Sequence, residues 1–97
     1  MINNKEIDKQ YVANTYARFD IEIVDGKGSR VVDSNGKEYI DLATGIAVNT
    51  FGIADKEWTD AVTAQLGKFQ HVSNLYYSEP CAKLAELLCE KTGAKKV

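Results

Sequence analysis

The chain has 97 residues, of which 44% are hydrophobic and 27% are charged, and its formal net charge is −2. This size suits one small domain, and the composition is typical of a globular protein rather than a disordered one. The basic residues are scattered, so the sequence indicates neither a nucleic-acid surface nor a patch that binds anionic membranes.

Two features favour a cytoplasmic protein. No apolar run approaches the roughly 18 residues that a membrane span needs, and the polar first ten residues are unlike a signal peptide.

Cys81 and Cys89 fall on one predicted helix, about 12 Å apart by helical rise, which is too far for a disulfide. Free thiols fit a reducing compartment. With one histidine and no C-x-x-C motif, we expect no metal site.

A first helix is predicted from residue 3 to residue 15. Asn3 and Glu6 have the spacing of a capping box. Ile7 and Tyr11 share one face of this helix. Because that face is narrow, the helix is expected either to lean on another surface or to fray as a terminal element.

Three strand-like segments follow between about residues 19 and 42. In the first of them hydrophobic residues alternate with acidic ones, as in a half-buried strand. The predicted strands are Phe19–Val24, Arg30–Asp33 and Glu38–Leu42, and the first turn is Asp25–Gly28. The sequence therefore predicts a three-stranded antiparallel sheet.

The second turn contains Asn35-Gly36, the pair preferred in tight type I′ hairpins. A two-residue loop at this pair would place Arg30 opposite Asp41. Such an opposite-charge pair across two strands would support that register.

No charged residue occurs from Leu42 to Ala54, which we call the uncharged segment. A surface loop is normally polar, and a helix as short as Thr44–Gly52 is not expected to carry two glycines. The uncharged segment is therefore expected to lie against another surface.

Two further helices complete an α+β pattern. The first is predicted over about residues 55–68, with Asp55 as its cap and an apolar stripe of Trp58, Val62, Leu66 and Phe69. The second is predicted over about residues 79–92. Ser78 is its expected cap, Pro80 lies in its first turn, and Gly93 is the expected residue after its end.

Motifs for catalysis are missing from the sequence. There is no G-x-S-x-G, no P-loop and no G-x-G-x-x-G. A lysine that forms a Schiff base needs an apolar or cationic setting, but the lysines here stand in polar contexts or turns. We therefore predict no catalytic residues within this chain.

Three motifs, taken together, carry a resemblance to a known family. They are G-x-x-V-x-D-x-x-G-K-x-Y-I-D-L at Gly28–Leu42, G-I-A-V-N at Gly45–Asn49 and S-N-L-Y-Y-x-E-P at Ser73–Pro80. In this order and spacing the chain resembles the N-terminal segment of the acetylornithine aminotransferases. These are class-III, fold-type-I aminotransferases that depend on pyridoxal 5′-phosphate (PLP).

The resemblance implies that residues 1–97 are a single partial domain. Residues 1–54 would be an arm and the sheet of the small domain, and residues 55–97 would be helices leading into the large, PLP-binding domain. A phosphate-binding loop, an aspartate for the pyridinium nitrogen and the Schiff-base lysine would follow Val97. The 97 residues alone are expected to be inactive and to bind no PLP covalently.

The reaction implied is transfer of the δ-amino group of N-acetylornithine to 2-oxoglutarate, in arginine biosynthesis. The full-length enzyme would be a homodimer with active sites at the subunit interface, and neither nucleic acid nor membrane is an expected partner. Two alternatives remain open. The same chemistry could act on ornithine, 4-aminobutyrate or succinylornithine, or the chain could be a stand-alone interaction or regulatory module derived from such an enzyme.

The resemblance also implies site residues. Candidates for the substrate pocket are Tyr16, Arg18, Ile46 and Val48. Candidates for the cleft loop and the dimer interface are Asn49, Ser73, Asn74 and Tyr76. Strand anchoring, core packing and interface packing without ligand contact are the competing interpretations.

One departure from the family pattern follows the second motif. Members commonly have Gly-His-x-His-Pro at this point, whereas here Gly52 is followed by Ile53, Ala54 and Asp55. We interpret that motif as mainly structural, so the entry to the next helix is expected to depend on Asp55.

Overall fold

The computed structural model describes residues 3–97 and has the predicted α+β architecture. Two compact units are present, one reaching Ala61 and the other starting at Val62. The division at residues 54 and 55 stays a prediction. The elements are α1 Asn4–Tyr11, β1 Ile23–Lys27, β2 Arg30–Asp33, β3 Glu38–Ile40, the one-turn α2 Thr44–Ala47, α3 Lys56–Leu66 and α4 Glu79–Thr92.

Helix α1 has the predicted capping box. The N–H of Glu6 donates to Asn3 Oδ1 at 3.0 Å, and the N–H of Asn3 donates to Glu6 Oε2 at 3.4 Å. The helix ends at Tyr11 rather than at residue 15, because Val12 adopts an extended conformation. After Ala13 come Asn14 and Thr15, which favour turns over helix interiors.

Strand β1 lies later in the chain than predicted. It begins at Ile23 and runs through the expected turn to Lys27, whereas Phe19 lies outside the sheet and is 89% exposed. Lys27 pairs with Arg30, so the turn is the two-residue Gly28-Ser29. Gly28 has a φ of +61°, which a tight hairpin turn requires and which glycine adopts without steric cost.

The predicted register of β2 and β3 is wrong by one residue, since Arg30 pairs with Ile40 rather than with Asp41. The loop has three residues, ends in Gly36 with a φ of +81°, and is closed by the N–H of Gly36 donating to Asp33 O at 2.9 Å. A type I turn followed by a left-handed glycine is the usual three-residue hairpin. Arg30 forms its ion pair with Glu38 instead.

The sheet has the order β1-β2-β3 and is antiparallel. Among the described residues, Val31 and Asp33 on β2 are buried, with exposed fractions of 8% and 6%. Packing between elements of the first unit is confined to neighbouring strands. Many large hydrophobic side chains of the described chain are exposed, among them Phe19, Leu42, Ile46, Leu75 and Tyr77.

The two long helices begin and end close to their predicted bounds. Asp55 caps α3 as predicted, because its Oδ2 accepts the N–H of Trp58 at 2.9 Å. Gly93 ends α4 with a φ of +76°, also as predicted. Ser78 is the N-cap residue of α4, as predicted, but its hydroxyl forms no capping hydrogen bond. Pro80 in the first turn presets the helical φ without it.

Candidate functional site

Two open grooves lie in the first unit and share Arg18, Phe19 and Ile21. The helix groove, about 570 Å³, lies between α1 and residues 12–22. The sheet groove has a volume of about 700 Å³. It is lined by Arg18, Phe19, Ile21, Ile23, Val31, Tyr39, Ile40, Asp41, Asn49 and Ile53.

Arg18 lies where the two grooves meet. Its Nη1 is 3.4 Å from Asp8 Oδ1 on α1, and its side chain is half exposed. A second contact ties α1 to the same stretch of chain, since Lys5 Nζ is 2.9 Å from Asp20 Oδ1. The hydrogen bond and the charge of Lys5 hold the pKa of Asp20 below its ordinary value. Arg18 thus keeps a guanidinium at the groove edge with one partly exposed carboxylate beside it.

Both ends of the uncharged segment are held against the β1–β2 turn. Directly before its start the N–H of Asp41 donates to Ser29 O at 2.8 Å. Near its end Gly28 and Ile53 exchange two backbone hydrogen bonds, of 2.8 and 2.9 Å. The segment therefore forms a closed loop whose two ends are fixed to adjacent residues.

The middle of this loop is α2, a turn of unusual handedness. Four consecutive residues, Thr44 to Ala47, have positive φ values of 53°, 64°, 63° and 60°. Only one of them is glycine, and the left-handed region costs about 1–2 kcal/mol for each other residue. A β-branched residue there, such as Ile46, points to a conformation that the surroundings impose.

The structure brings some of the predicted site residues together. Tyr16 and Arg18 both line the helix groove, and Arg18 and Asn49 both line the sheet groove. Ile46 and Val48 line neither groove and are 91% and 75% exposed. Ile46 lies in α2 and Val48 follows it directly, and their role in a pocket stays a prediction.

The other three candidates lie in the second unit, in the irregular chain before α4. Ser73 organises a turn there, since its O accepts the N–H of Tyr76 at 3.0 Å and its Oγ accepts the N–H of Leu75 at 3.2 Å. Asn74 lies in this turn, and Tyr76 is 70% exposed. Their side chains are accessible, and their contact with a cleft stays a prediction.

Sequence reasoning missed two residues that shape the site. The hairpin pattern predicts only a cross-strand role for Asp41, but its Oδ1 accepts the N–H groups of Ala43 and Thr44. Asp41 lies two positions before Ala43 and three before Thr44. An aspartate at this spacing is typical of an Asx turn, so the sequence did contain a signal for this role. Asp8, the partner of Arg18, had no local signal because the two lie ten positions apart in the sequence.

The described residues do not fit a covalent PLP site by themselves. Arg18 is the one cationic side chain among the residues that line the sheet groove, so no described lysine lines that groove. Several lysines are instead bound to acids, as in Lys5–Asp20, Lys56–Asp60 and Lys83–Glu86. Within residues 3–97 no cluster of metal-binding side chains is present. In the same range, every helix is too short or too polar to cross a membrane.

Comparison with known proteins gives a consistent result. A family model described as "Aminotransferase class-III" matches residues 11–97. An acetylornithine aminotransferase of Haemophilus ducreyi is 47% identical over 93 residues, which cover 96% of this chain and 24% of that protein. One of Methanopyrus kandleri is 48% identical over 86 residues, covering 89% of this chain and 22% of that protein.

A solved structure agrees in fold. The crystal structure of N-acetylornithine aminotransferase from Stenotrophomonas maltophilia K279a has a TM-score of 0.74 at 39% identity. The match covers 87% of this chain and 21% of that one. The chain thus spans about a quarter, or slightly less, of the relatives that it matches.

Proposed function

Because this chain belongs to the class-III aminotransferase family, we propose that it is the N-terminal part of a PLP-dependent aminotransferase. The proposed reaction transfers an amino group from N-acetylornithine to 2-oxoglutarate. The observation that carries this proposal is the 47% identity to the Haemophilus ducreyi enzyme across 96% of the chain. A stand-alone module derived from an aminotransferase is the competing explanation.

In this proposal Arg18 binds a substrate carboxylate. Its planar guanidinium suits bidentate hydrogen bonds to a carboxylate, and both substrates carry such groups. The competing contact with Asp8 is long, at 3.4 Å, and partly exposed, so an incoming carboxylate can replace it. Tyr16 shares the helix groove with Arg18 and would contact the same substrate.

The uncharged segment would supply an apolar wall of the cleft. Ile46 and Val48 project from α2 without cover in this chain, and Asn49 lines the sheet groove beside Arg18. In a homodimer, these side chains would lie against the substrate or the second subunit, where an uncharged loop is readily desolvated. Ser73, Asn74 and Tyr76 are proposed to reach the same interface.

PLP, when bound, supplies the electron sink for this class of reaction. None of the described lysines lies at the sheet groove, so the lysine that binds PLP is proposed to belong to the remainder of the enzyme. Residues 1–97 alone are proposed to be inactive.

A chimeric enzyme tests this function directly. Residues 1–97 replace the matching segment of the Haemophilus ducreyi acetylornithine aminotransferase, and the product is assayed with N-acetylornithine and 2-oxoglutarate. We expect PLP binding, seen by its visible absorbance, and turnover with N-acetylornithine in preference to ornithine, 4-aminobutyrate and succinylornithine.

A matched control carries a Gly/Ser replacement of Thr44–Gly52 and should fold but lose activity. A chimera that folds, binds PLP and yet fails to use N-acetylornithine contradicts the proposed substrate. A folded chimera that binds no PLP contradicts the proposed function as a whole.

A further inference from the structure

The left-handed turn α2 needs a source of stability, because three of its four residues are not glycine. The backbone provides part of it. The N–H of Ile46 donates to Ala43 O, and those of Val48 and Asn49 both donate to Thr44 O, each at 2.9 Å. These bonds lie within the loop itself and leave open what fixes the loop's first residues.

The Asp41 carboxylate fixes those first residues. Its Oδ1 accepts the N–H of Ala43 at 3.1 Å and that of Thr44 at 2.9 Å. Asp41 is itself held, since its own N–H donates to Ser29 O at 2.8 Å in the β1–β2 turn. Hydrogen bonds to a charged acceptor are stronger than neutral ones, so this carboxylate can offset backbone strain nearby.

Thr44 connects this carboxylate to the candidate site. Its N–H is bound by Asp41, and its O accepts the N–H groups of Val48 and Asn49. The backbone of Thr44 therefore binds Asp41 through its N–H and Asn49 through its C=O. Both Asp41 and Asn49 line the sheet groove.

We propose that Asp41 is a positioning residue, which sets the handedness of α2 and so fixes the orientation of Ile46, Val48 and Asn49 at the substrate site. This inference rests on the proposed function. It assigns Asp41 no contact with substrate, because its effect passes through the amides of Ala43 and Thr44.

Asp41→Ala in the chimeric holoenzyme tests the proposal by amide hydrogen exchange and by steady-state kinetics. We expect exchange of the amides of residues 43–49 to speed up at least about tenfold and KM for N-acetylornithine to rise by a similar factor. The value of kcat should change much less. Asp41→Asn keeps a neutral oxygen in place for both N–H groups and should restore part of both measurements.

Asp55→Ala is the matched control, because Asp55 also accepts a backbone N–H, at the start of α3. It should leave KM and the exchange of residues 43–49 unchanged. If Asp41→Ala does not fold, Asp41→Ser replaces it, since its hydroxyl is shorter and holds the turn less firmly.

Unchanged exchange in residues 43–49 overturns the proposal, and so does faster exchange with an unchanged KM. If the parent chimera binds PLP but does not use N-acetylornithine, the proposed substrate fails separately. Amide exchange in Asp41→Ala and its recovery in Asp41→Asn then decide whether Asp41 holds the turn.

Discussion

The hydroxyl of Tyr39 donates to Asp33 Oδ2 at 2.9 Å, and the other oxygen of the same carboxylate organises the β2–β3 loop. Asp33 Oδ1 accepts the N–H groups of Asn35 and Lys37, both at 2.9 Å. Asp33 is buried, with 6% of its surface exposed. One carboxylate thus joins the hairpin loop to a tyrosine that lines the sheet groove.

These contacts predict a pH dependence. The N–H of Lys37 is the main cause that lowers the pKa of Asp33 below its ordinary 3.8; burial opposes it, and the Tyr39 hydroxyl and Asn35 N–H add to it. Because the pKa is lower in the folded chain, Asp33 stabilises the hairpin above about pH 4. This stabilisation disappears as pH falls through the folded-state pKa.

Tyr39→Phe should raise the pKa of Asp33 toward 3.8, because the variant lacks the hydroxyl that donates to the carboxylate. An NMR titration of the 13C-labelled Asp33 carboxyl carbon in the chimeric enzyme measures the change. Tyr76→Phe, in the exposed turn of the second unit, is the control. An Asp33 titration that is the same in Tyr39→Phe and in the parent chain would show that the hydroxyl has no effect.

Gly52 lies directly against Gly28, which predicts a steric effect. A Cβ on Gly52 would lie 2.9 Å from Gly28 Cα, and Gly52 has a φ of +93°. Gly52→Ala should therefore disrupt the backbone pairing of Gly28 with Ile53, at a cost of roughly 2 kcal/mol or more. Hydrogen exchange of the Gly28 and Ile53 amides should then be faster by roughly 30-fold.

Gly36→Ala is matched to this change. Gly36 also has a positive φ, of +81°, but no atom lies within 4 Å of its added Cβ. Gly36→Ala should lower the free energy of unfolding by only about 1 kcal/mol and leave the amides of Gly28 and Ile53 protected from exchange. If the Gly28 and Ile53 amides exchange equally fast in Gly52→Ala and Gly36→Ala, the contact between residue 52 and Gly28 has no effect on stability.

The proposed role of Arg18 predicts a defect in substrate binding. Arg18→Gln in the chimeric enzyme removes the charge, and KM for at least one substrate should rise about tenfold or more. Arg30→Gln is the control, because Arg30 is also paired with a carboxylate, that of Glu38, and lines neither groove. An unchanged KM for both N-acetylornithine and 2-oxoglutarate would exclude Arg18 from the site.

The sequence predicted the features that depend on residues close together in the chain. It failed where contacts between residues distant in the chain determine the structure. The capping box of Asn3 and Glu6, the Asp55 cap and the Gly93 terminus all follow from residues within four positions. The β2–β3 register depended on how the Asp33 side chain binds its own loop, which the Asn35-Gly36 pair does not reveal.

The candidate site shows the same division. The lack of charge from Leu42 to Ala54 identified the uncharged segment, but its left-handed turn follows from contacts with residues outside that segment. Ser29 binds Asp41, and Gly28 binds Ile53, each across more than ten residues of chain. Periodicity and spacing describe one element at a time, so they do not predict such contacts.

The amount of exposed apolar surface distinguishes the two explanations of this chain, the N-terminal part of an aminotransferase and a stand-alone module. Phe19, Leu42 and Leu75 are each more than 85% exposed, at 89%, 89% and 86%. Patches of this kind bind hydrophobic dyes and promote association unless a partner surface covers them. We therefore expect the isolated chain to bind such a dye strongly and to elute as a broad, self-associated species in size-exclusion chromatography. The chimeric enzyme should bind much less dye per chain and elute as a single species, because the remainder of the enzyme covers these side chains. An isolated chain that elutes as a sharp monomer with little dye binding would instead favour a stand-alone module.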